Sequence, residues 1–220
     1  MPFAINDFKG AISRRAGIMR PNKFLFQFGL PPVMMVGEGP SFFGPLARDM
    51  EFWCDSVNLP GYQLGTSITR RWSYGPDEKR PYGPIYLPIQ AQFNSDTHGA
   101  YLNFFNIWMQ TIMPHDWYNG GFSQMSNYSP GRQYELEYKE RYATDLEIHV
   151  YDAAFTEGEP IVTYFIKEAF PSQIQDMKFD WSDTGNAKFM VTFEYLDWTT
   201  TTNNPGGSIE EPSLPLFPPT

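Results

Sequence analysis

Arg20-Pro21-Asn22-Lys23-Phe24-Leu25-Phe26-Gln27-Phe28 is the stretch from which the rest of the chain can be read. Pro21-Asn22 makes a turn. Phe24, Phe26 and Phe28 then alternate with Leu25 and Gln27, the period of a strand with one aromatic face. Further on, Phe52-Trp53-Cys54-Asp55-Ser56-Val57-Asn58-Leu59-Pro60-Gly61 reads as a second strand, from Met50 to Asn58, closed by a Pro-Gly turn. An aromatic strand face must be buried against another layer, so a sheet built from such strands needs a partner sheet or a helix.

The same alternation recurs downstream. Tyr62, Leu64 and Ile68 share a face opposite Gln63, Ser67 and Thr69, in a run extending to Trp72. Ile85, Leu87, Ile89, Ala91 and Phe93 alternate with Tyr86, Pro88, Gln90 and Gln92. The turn-rich segment between these runs predicts one long hairpin over Tyr62–Phe93, with a bulge or bend at Pro88. Strands are also expected at Leu146–Val150, Ile161–Lys167, Met177–Trp181 and Phe189–Tyr195, with Asp183-Thr184-Gly185-Asn186 as a hairpin turn.

One segment changes period. Tyr101, Phe104, Phe105, Trp108 and Ile112 fall on one helical stripe, with Asn103, Asn106 and Gln110 turned outward. Ser95 or Asp96 is placed to cap this helix and Pro114 to stop it. There is no internal repeat and no alternation of strands with helices. The expected fold is mainly β: two packed antiparallel sheets forming a sandwich or barrel with one flanking α-helix.

Leu30–Ala47 and Asp116–Gln133 read as two long loops. Both carry more apolar side chains than a solvated loop needs, which marks Met34, Met35, Phe42, Phe43, Trp117, Tyr118 and Phe122 as candidate subunit contacts. Residues 1–19 read as an N-terminal arm and 199–220 as a Pro/Thr-rich tail, leaving a single domain over residues 1–198.

Composition narrows the function. The 220-residue chain is 41% hydrophobic and 17% aromatic, enough for a sizeable core. Its net charge of −9 argues against tight binding to nucleic acid or to anionic membranes. A single cysteine, Cys54, permits no internal disulfide and reads as an inert thiol. Met1–Gly10 carries no apolar run and no hydrophobic segment follows Arg14-Arg15, so the chain is expected to be made and kept in a cytoplasm. Tyr101–Met113 is too short and too polar to span a membrane.

No catalytic constellation is visible. His98, His115 and His149 lie far apart without metal-ligand spacing. Asp145, Glu147 and Asp152 fall on both faces of one strand, and Glu157 and Glu159 flank Gly158 in a turn, a pattern of solvated acids. Phosphate-cradling glycine loops and nucleophile elbows are absent, so no enzyme activity and no cofactor are expected. Asn127-Tyr128-Ser129 fits a glycosylation acceptor but comes with no secretion signal. A carbohydrate-binding sandwich would also be aromatic and non-catalytic, but here the aromatics spread over many strand faces instead of forming one sugar platform.

Four segments in order resemble the tail tube proteins of contractile-tailed bacteriophages. The two quoted first open the pattern. Phe93-Asn94-Ser95-Asp96-Thr97-His98 then runs into the helix. Leu146–Asp152, Lys167-Glu168-Ala169-Phe170-Pro171-Ser172, Asp180-Trp181-Ser182 and Asp197-Trp198 close it. The resemblance covers about Arg20 to Trp198; the two long loops and the tail exceed the family's short form. It implies a structural virion protein with a small β-barrel-like fold, six copies to a ring, and rings stacked into a conduit for genome delivery. A baseplate tube initiator or a terminal ring of the same fold is the alternative it leaves open.

On that reading the partners are other copies of the chain, together with sheath, baseplate and tail-terminator proteins, without a membrane anchor. DNA passes the lumen without specific binding, because an acidic wall repels phosphate. The protein would be assembled in the bacterial host cytoplasm and reside in the virion tail. Neighbouring inner sheets are expected to join edge to edge, with the Tyr62–Phe93 hairpin as inner wall. Gln63, Ser67, Thr69, Gln90 and Gln92 are the candidate lumen-facing residues.

Overall fold

The computed structural model describes Ile5, Lys9 and Met19 singly, and residues 21–35, 39–70, 76–113, 136–151, 158–177, 179–182 and 185–202. The elements in chain order are β1 (Phe24–Phe28), a 3-10 turn (Pro32–Met35), α1 (Gly39–Trp53), β2 (Cys54–Val57), β3 (Gly61–Thr69), β4 (Glu78–Leu87), β5 (Ile89–Asn94), α2 (Ala100–Ile112), α3 (Lys139–Tyr142), β6 (Thr144–Val150), β7 (Val162–Ile174), β8 (Lys188–Glu194) and β9 (Asp197–Thr202).

Seven of the strands form one antiparallel ladder in the order β1-β6-β7-β8-β5-β2, with β9 added on β7. The 13-residue strand β7 serves both halves. Its Val162–Ala169 portion pairs with β6 and β9, and its Phe170–Ile174 portion pairs with β8. At the junction Glu168 adopts a left-handed backbone, φ 52°. The ladder therefore folds over on itself into two half-sheets. Phe26 of β1 meets Phe93 of β5 and Phe193 of β8 at 5.9 and 5.8 Å between ring centroids, which places the core between the halves. This is a sandwich left open at its edges, not a closed barrel.

Helix α2 covers one side of that core, as its stripe predicts. Tyr101, Phe104, Phe105 and Trp108 are buried. Phe105 packs on Phe93, Phe189 and Phe193, while the indole N–H of Trp108 donates to the Tyr142 carbonyl at 2.8 Å. Asp96 receives the backbone N–H groups of Tyr101 at 3.2 Å and His98 at 3.3 Å, so it serves the helix start although Gly99 occupies the cap position. Burial opposes ionisation of Asp96, but the backbone N–H donors of Ala100, Tyr101 and His98 outweigh it and hold the carboxyl below its ordinary value.

Four expectations need correction. Leu30–Ala47 is not a loop: it holds the 3-10 turn and most of α1, so the chain has a second substantial helix. Phe43, Ala47 and Met50 form its buried face, a helical spacing hidden among Gly39, Pro40, Gly44 and Pro45. Glycine is required at Gly39, where a Cβ would lie 1.9 Å from the Met34 carbonyl oxygen. The strand expected from Met50 consequently begins only at Cys54. Next, the hairpin does not run to Phe93: β3 pairs with β4 alone, and after Pro88 the chain enters β5, which pairs with β8 and β2. Third, Ile161–Lys167 does not end at Phe170-Pro171, because β7 continues through both to Ile174; Pro171 sits at a bulge where an edge strand tolerates it. Finally, Met177 and Phe179–Trp181 lie outside any strand, and β9 carries regular structure through Thr202, past the expected start of the tail.

Candidate assembly surfaces

Two surfaces stand apart from the core. The first is the outward face of the half-sheet β2-β5-β8 with the end of β7. Register places Ser56 beside Gln92, Gln90 beside Thr192, Gln173 beside Thr192, and Asn94 beside Lys188. Their strand neighbours Ala91, Phe93, Val191 and Phe193 point into the core. Period-2 alternation thus yields a face of amides and hydroxyls. The Ser56 hydroxyl donates to Gln92 at 3.4 Å, and Lys188 is held by Asp55 at 2.7 Å. Glu194 is the one acid of this face without an ion pair among the described residues. Both margins, β2 and Phe170–Ile174, are sheet edges.

The second surface is the β3–β4 ribbon. Tyr62, Leu64, Thr66 and Ile68 share one face with Tyr86, Pro84, Pro81 and Lys79, and all but a few residues on either face are exposed. On the opposite face the Tyr82 ring lies over Gly65, where a Cβ would meet it at 2.4 Å. Among the described residues the ribbon is anchored at its root. Tyr62 packs on Trp198, Tyr86 packs on Tyr195, and the Tyr195 hydroxyl donates to the Leu87 carbonyl at 2.9 Å. A hydrogen bond to the Asp197 carboxylate raises the Tyr86 hydroxyl above its ordinary pKa. At the far end Arg70 pairs with Asp77, and Arg80 with Glu78.

The expected lumen residues therefore divide. Gln90 and Gln92 lie on the half-sheet face, whereas Gln63, Ser67 and Thr69 lie on the ribbon and share no surface with them. The expected contact residues divide as well. Met34 and Phe43 are buried in the chain's own core, while Met35 and Phe42 are exposed. Trp117, Tyr118 and Phe122 fall outside the described residues, as do His115, Asn127, Asp152 and Glu157.

Among the described residues one acidic recess stands out. A recess of about 220 Å³ is lined by Glu51, Asp145 and Glu147 beside Gln27, Phe28 and Gly29. Its carboxylates are already engaged: Glu51 by the Gln27 amide at 3.1 Å, Asp145 by the Glu168 N–H at 3.0 Å, Glu147 by His149 at 3.2 Å. Among the described residues no group of three His, Cys, Asp or Glu is placed to hold a metal ion, and no helix is long and apolar enough to cross a membrane. Burial first, then the charge of Asp55, pushes the Cys54 thiol up to about 12, so it stays protonated and unreactive at neutral pH.

Comparison with known structures finds the same fold in contractile injection machines. A chain of the sheath–tube complex of an extracellular contractile injection system, in its extended state, superposes with a TM-score of 0.54 at 14% identity, covering 91% of this chain and 99% of that one. A chain from the tube-terminating cap of the anti-feeding prophage gives 0.51 at 16% identity, covering 84% and 91%. One from the anti-feeding prophage baseplate gives 0.51 at 8%, covering 84% and 97%. No curated protein matches the sequence. The family model for phage tail tube proteins matches residues 19–201. The chain belongs to that family: it is a structural subunit of a tail tube, a component of the virion tail.

Proposed function

We propose that the protein forms hexameric rings that stack into the genome-conducting tube, with the β2-β5-β8 face as the lumen wall. The observation that carries this reading is a polar face of mostly uncharged side chains, its one cation Lys188 paired with Asp55, bounded on both sides by sheet edges. In the ring, β2 of one copy joins Phe170–Ile174 of the next, which pairs backbone groups that a lone sheet leaves exposed. Gln90 and Gln92 line the lumen, while Gln63, Ser67 and Thr69 belong to the ribbon and lie away from it. Lys188 is neutralised by Asp55, so the wall offers duplex phosphate no array of cations and the DNA slides past without counterion-releasing contacts. The low charge of the face, more than general acidity, accounts for non-binding.

The role is structural and not catalytic. Sheath, baseplate and terminator proteins are the outer partners, met during assembly in the host cytoplasm. The similarity to chains of a cap and of a baseplate supports a second reading, a specialised terminal or initiating ring.

Size-exclusion chromatography followed by electron microscopy of the purified chain tests this. Tubes of many rings are expected of the main tube subunit, and isolated rings of a terminal one. A protein that stays monomeric at high concentration contradicts both.

A further inference from the structure

Trp181 is the most anomalous side chain among the described residues. It stands fully exposed, at 105% relative accessibility, beside Phe179 at 77%. Both lie in the segment between β7 and β8, and neither contributes to the core. A bare tryptophan and a bare phenylalanine two residues apart on a subunit's surface mark a protein contact. The turn that presents them is well made: Asp180 accepts the Ser182 N–H at 3.0 Å and its hydroxyl at 2.8 Å. Those bonds hold the Asp180 carboxyl below its ordinary pKa.

The position of this turn in the fold is informative. It precedes Lys188, the start of β8, where Gln175 and Ala187 flank the last ladder bonds. The β3–β4 ribbon is rooted at the other end of the same half-sheet, where Ile89 faces Phe193 and Tyr195 reaches Leu87. Strand rise puts the two ends on the order of 20 Å apart. One end thus carries an aromatic knob with Asp176 and Asp180 exposed around it. The other carries an apolar ribbon face, Leu64 and Ile68, with Lys79 on the same face. Apolar character is common to both patches, and Lys79 is opposite in sign to Asp176 and Asp180.

We infer that the Phe179–Ser182 turn of one subunit docks on the Leu64/Ile68 face of the ribbon of a subunit in the next ring, with Trp181 as the anchor. The partner is a second copy of this chain. Because the two patches differ and sit at opposite ends, the contact is heterologous and does not close on itself, which produces an open stack. It also covers a two-stranded ribbon that would be marginal if left bare on both faces. The inference rests on the tube reading and adds to it the residues that stack the rings.

Trp181→Ala in the full chain tests it against wild type. The variant should keep its melting temperature and form rings, while the sedimentable tube fraction falls at least about tenfold. As a positional check, Trp181→Cys with Leu64→Cys in a Cys54→Ser background should yield a covalent ladder between rings on oxidation, and neither single cysteine should. Normal tubes from Trp181→Ala overturn the inference while leaving the tube reading intact. Loss of rings along with tubes also overturns it, since the turn would then act within a ring. Absence of the ladder in assembled double-cysteine tubes overturns the pairing. Wild-type protein that stops at single rings removes the stacking contact altogether, and wild-type protein that remains monomeric removes the tube reading with it.

Discussion

The aromatic sandwich and the β3–β4 ribbon are written in the same alternating pattern, yet one hides its apolar residues and the other displays them. Phe26, Phe93, Phe105 and Phe193 are wholly buried. Tyr62, Leu64, Ile68, Tyr82 and Ile85 are exposed. Alternation says that a strand has an apolar side; it does not say which chain supplies the cover. Within the sandwich the cover is internal. For the ribbon, the docking inferred above assigns it to a neighbouring subunit, the arrangement expected of a protein whose working form is an assembly.

Substitutions sharpen this contrast. The largest loss of subunit stability should follow Phe105→Ala, which empties the centre of the cluster formed by Phe93, Phe104, Phe189 and Phe193. The expected cost is about 3–5 kcal/mol, read from denaturant unfolding of dispersed subunits. A loss under about 1 kcal/mol would mean that the cluster is not the core.

Next comes Asp96→Ala, at about 1 kcal/mol, since its carboxylate serves the start of α2. Its pKa is lowered by folding, so its stabilisation is complete above the ordinary carboxylate range and is lost as pH falls through the lowered value. Wild type should therefore lose part of its advantage over Asp96→Ala in acid, a trend visible in paired melts between neutral pH and about pH 3. A gap that widens in acid would contradict the assignment.

Tyr195→Phe removes the hydroxyl bond to Leu87 at the ribbon root. About 1 kcal/mol or less is expected, together with faster amide exchange confined to β3 and β4. Smallest of all should be the paired change Leu64→Ser and Ile68→Ser. Subunit stability should stay within about 0.5 kcal/mol, because these side chains are bare in the isolated subunit. Rings should nevertheless fail to stack into tubes. Unfolding on this change would place the ribbon in the core and erase the contrast.

The parts of the fold that were legible in sequence are those whose pattern is local. The Phe24–Phe28 strand, the α2 stripe and the strands β6 and β8 each bury one face within the chain, so period and burial agree. Helix α1 was hidden because glycine and proline outweigh a short stripe in any propensity reading, although Phe43, Ala47 and Met50 carried the signal. The ribbon was misjoined to β5 because a continuous alternation through Pro88 conceals a change of partner strand. The five candidate lumen residues read as one set in sequence, and only register separates Gln90 and Gln92 from Gln63, Ser67 and Thr69 by assigning them to different sheets. Trp181 reads as the end of a strand, because the turn made by Asp180 and Ser182 breaks the alternation without a glycine or proline to announce it.

The central claim is that the β2-β5-β8 face forms the inside of a tube. A cryo-EM reconstruction of the assembled protein tests it most directly. The account predicts six-fold rings with Gln90 and Gln92 facing the lumen, β2 paired to the neighbouring copy's Phe170–Ile174, and the β3–β4 ribbon seated on other subunits away from the DNA path. A tube whose inner wall is the ribbon, with Gln90 and Gln92 on the outer surface, would contradict it.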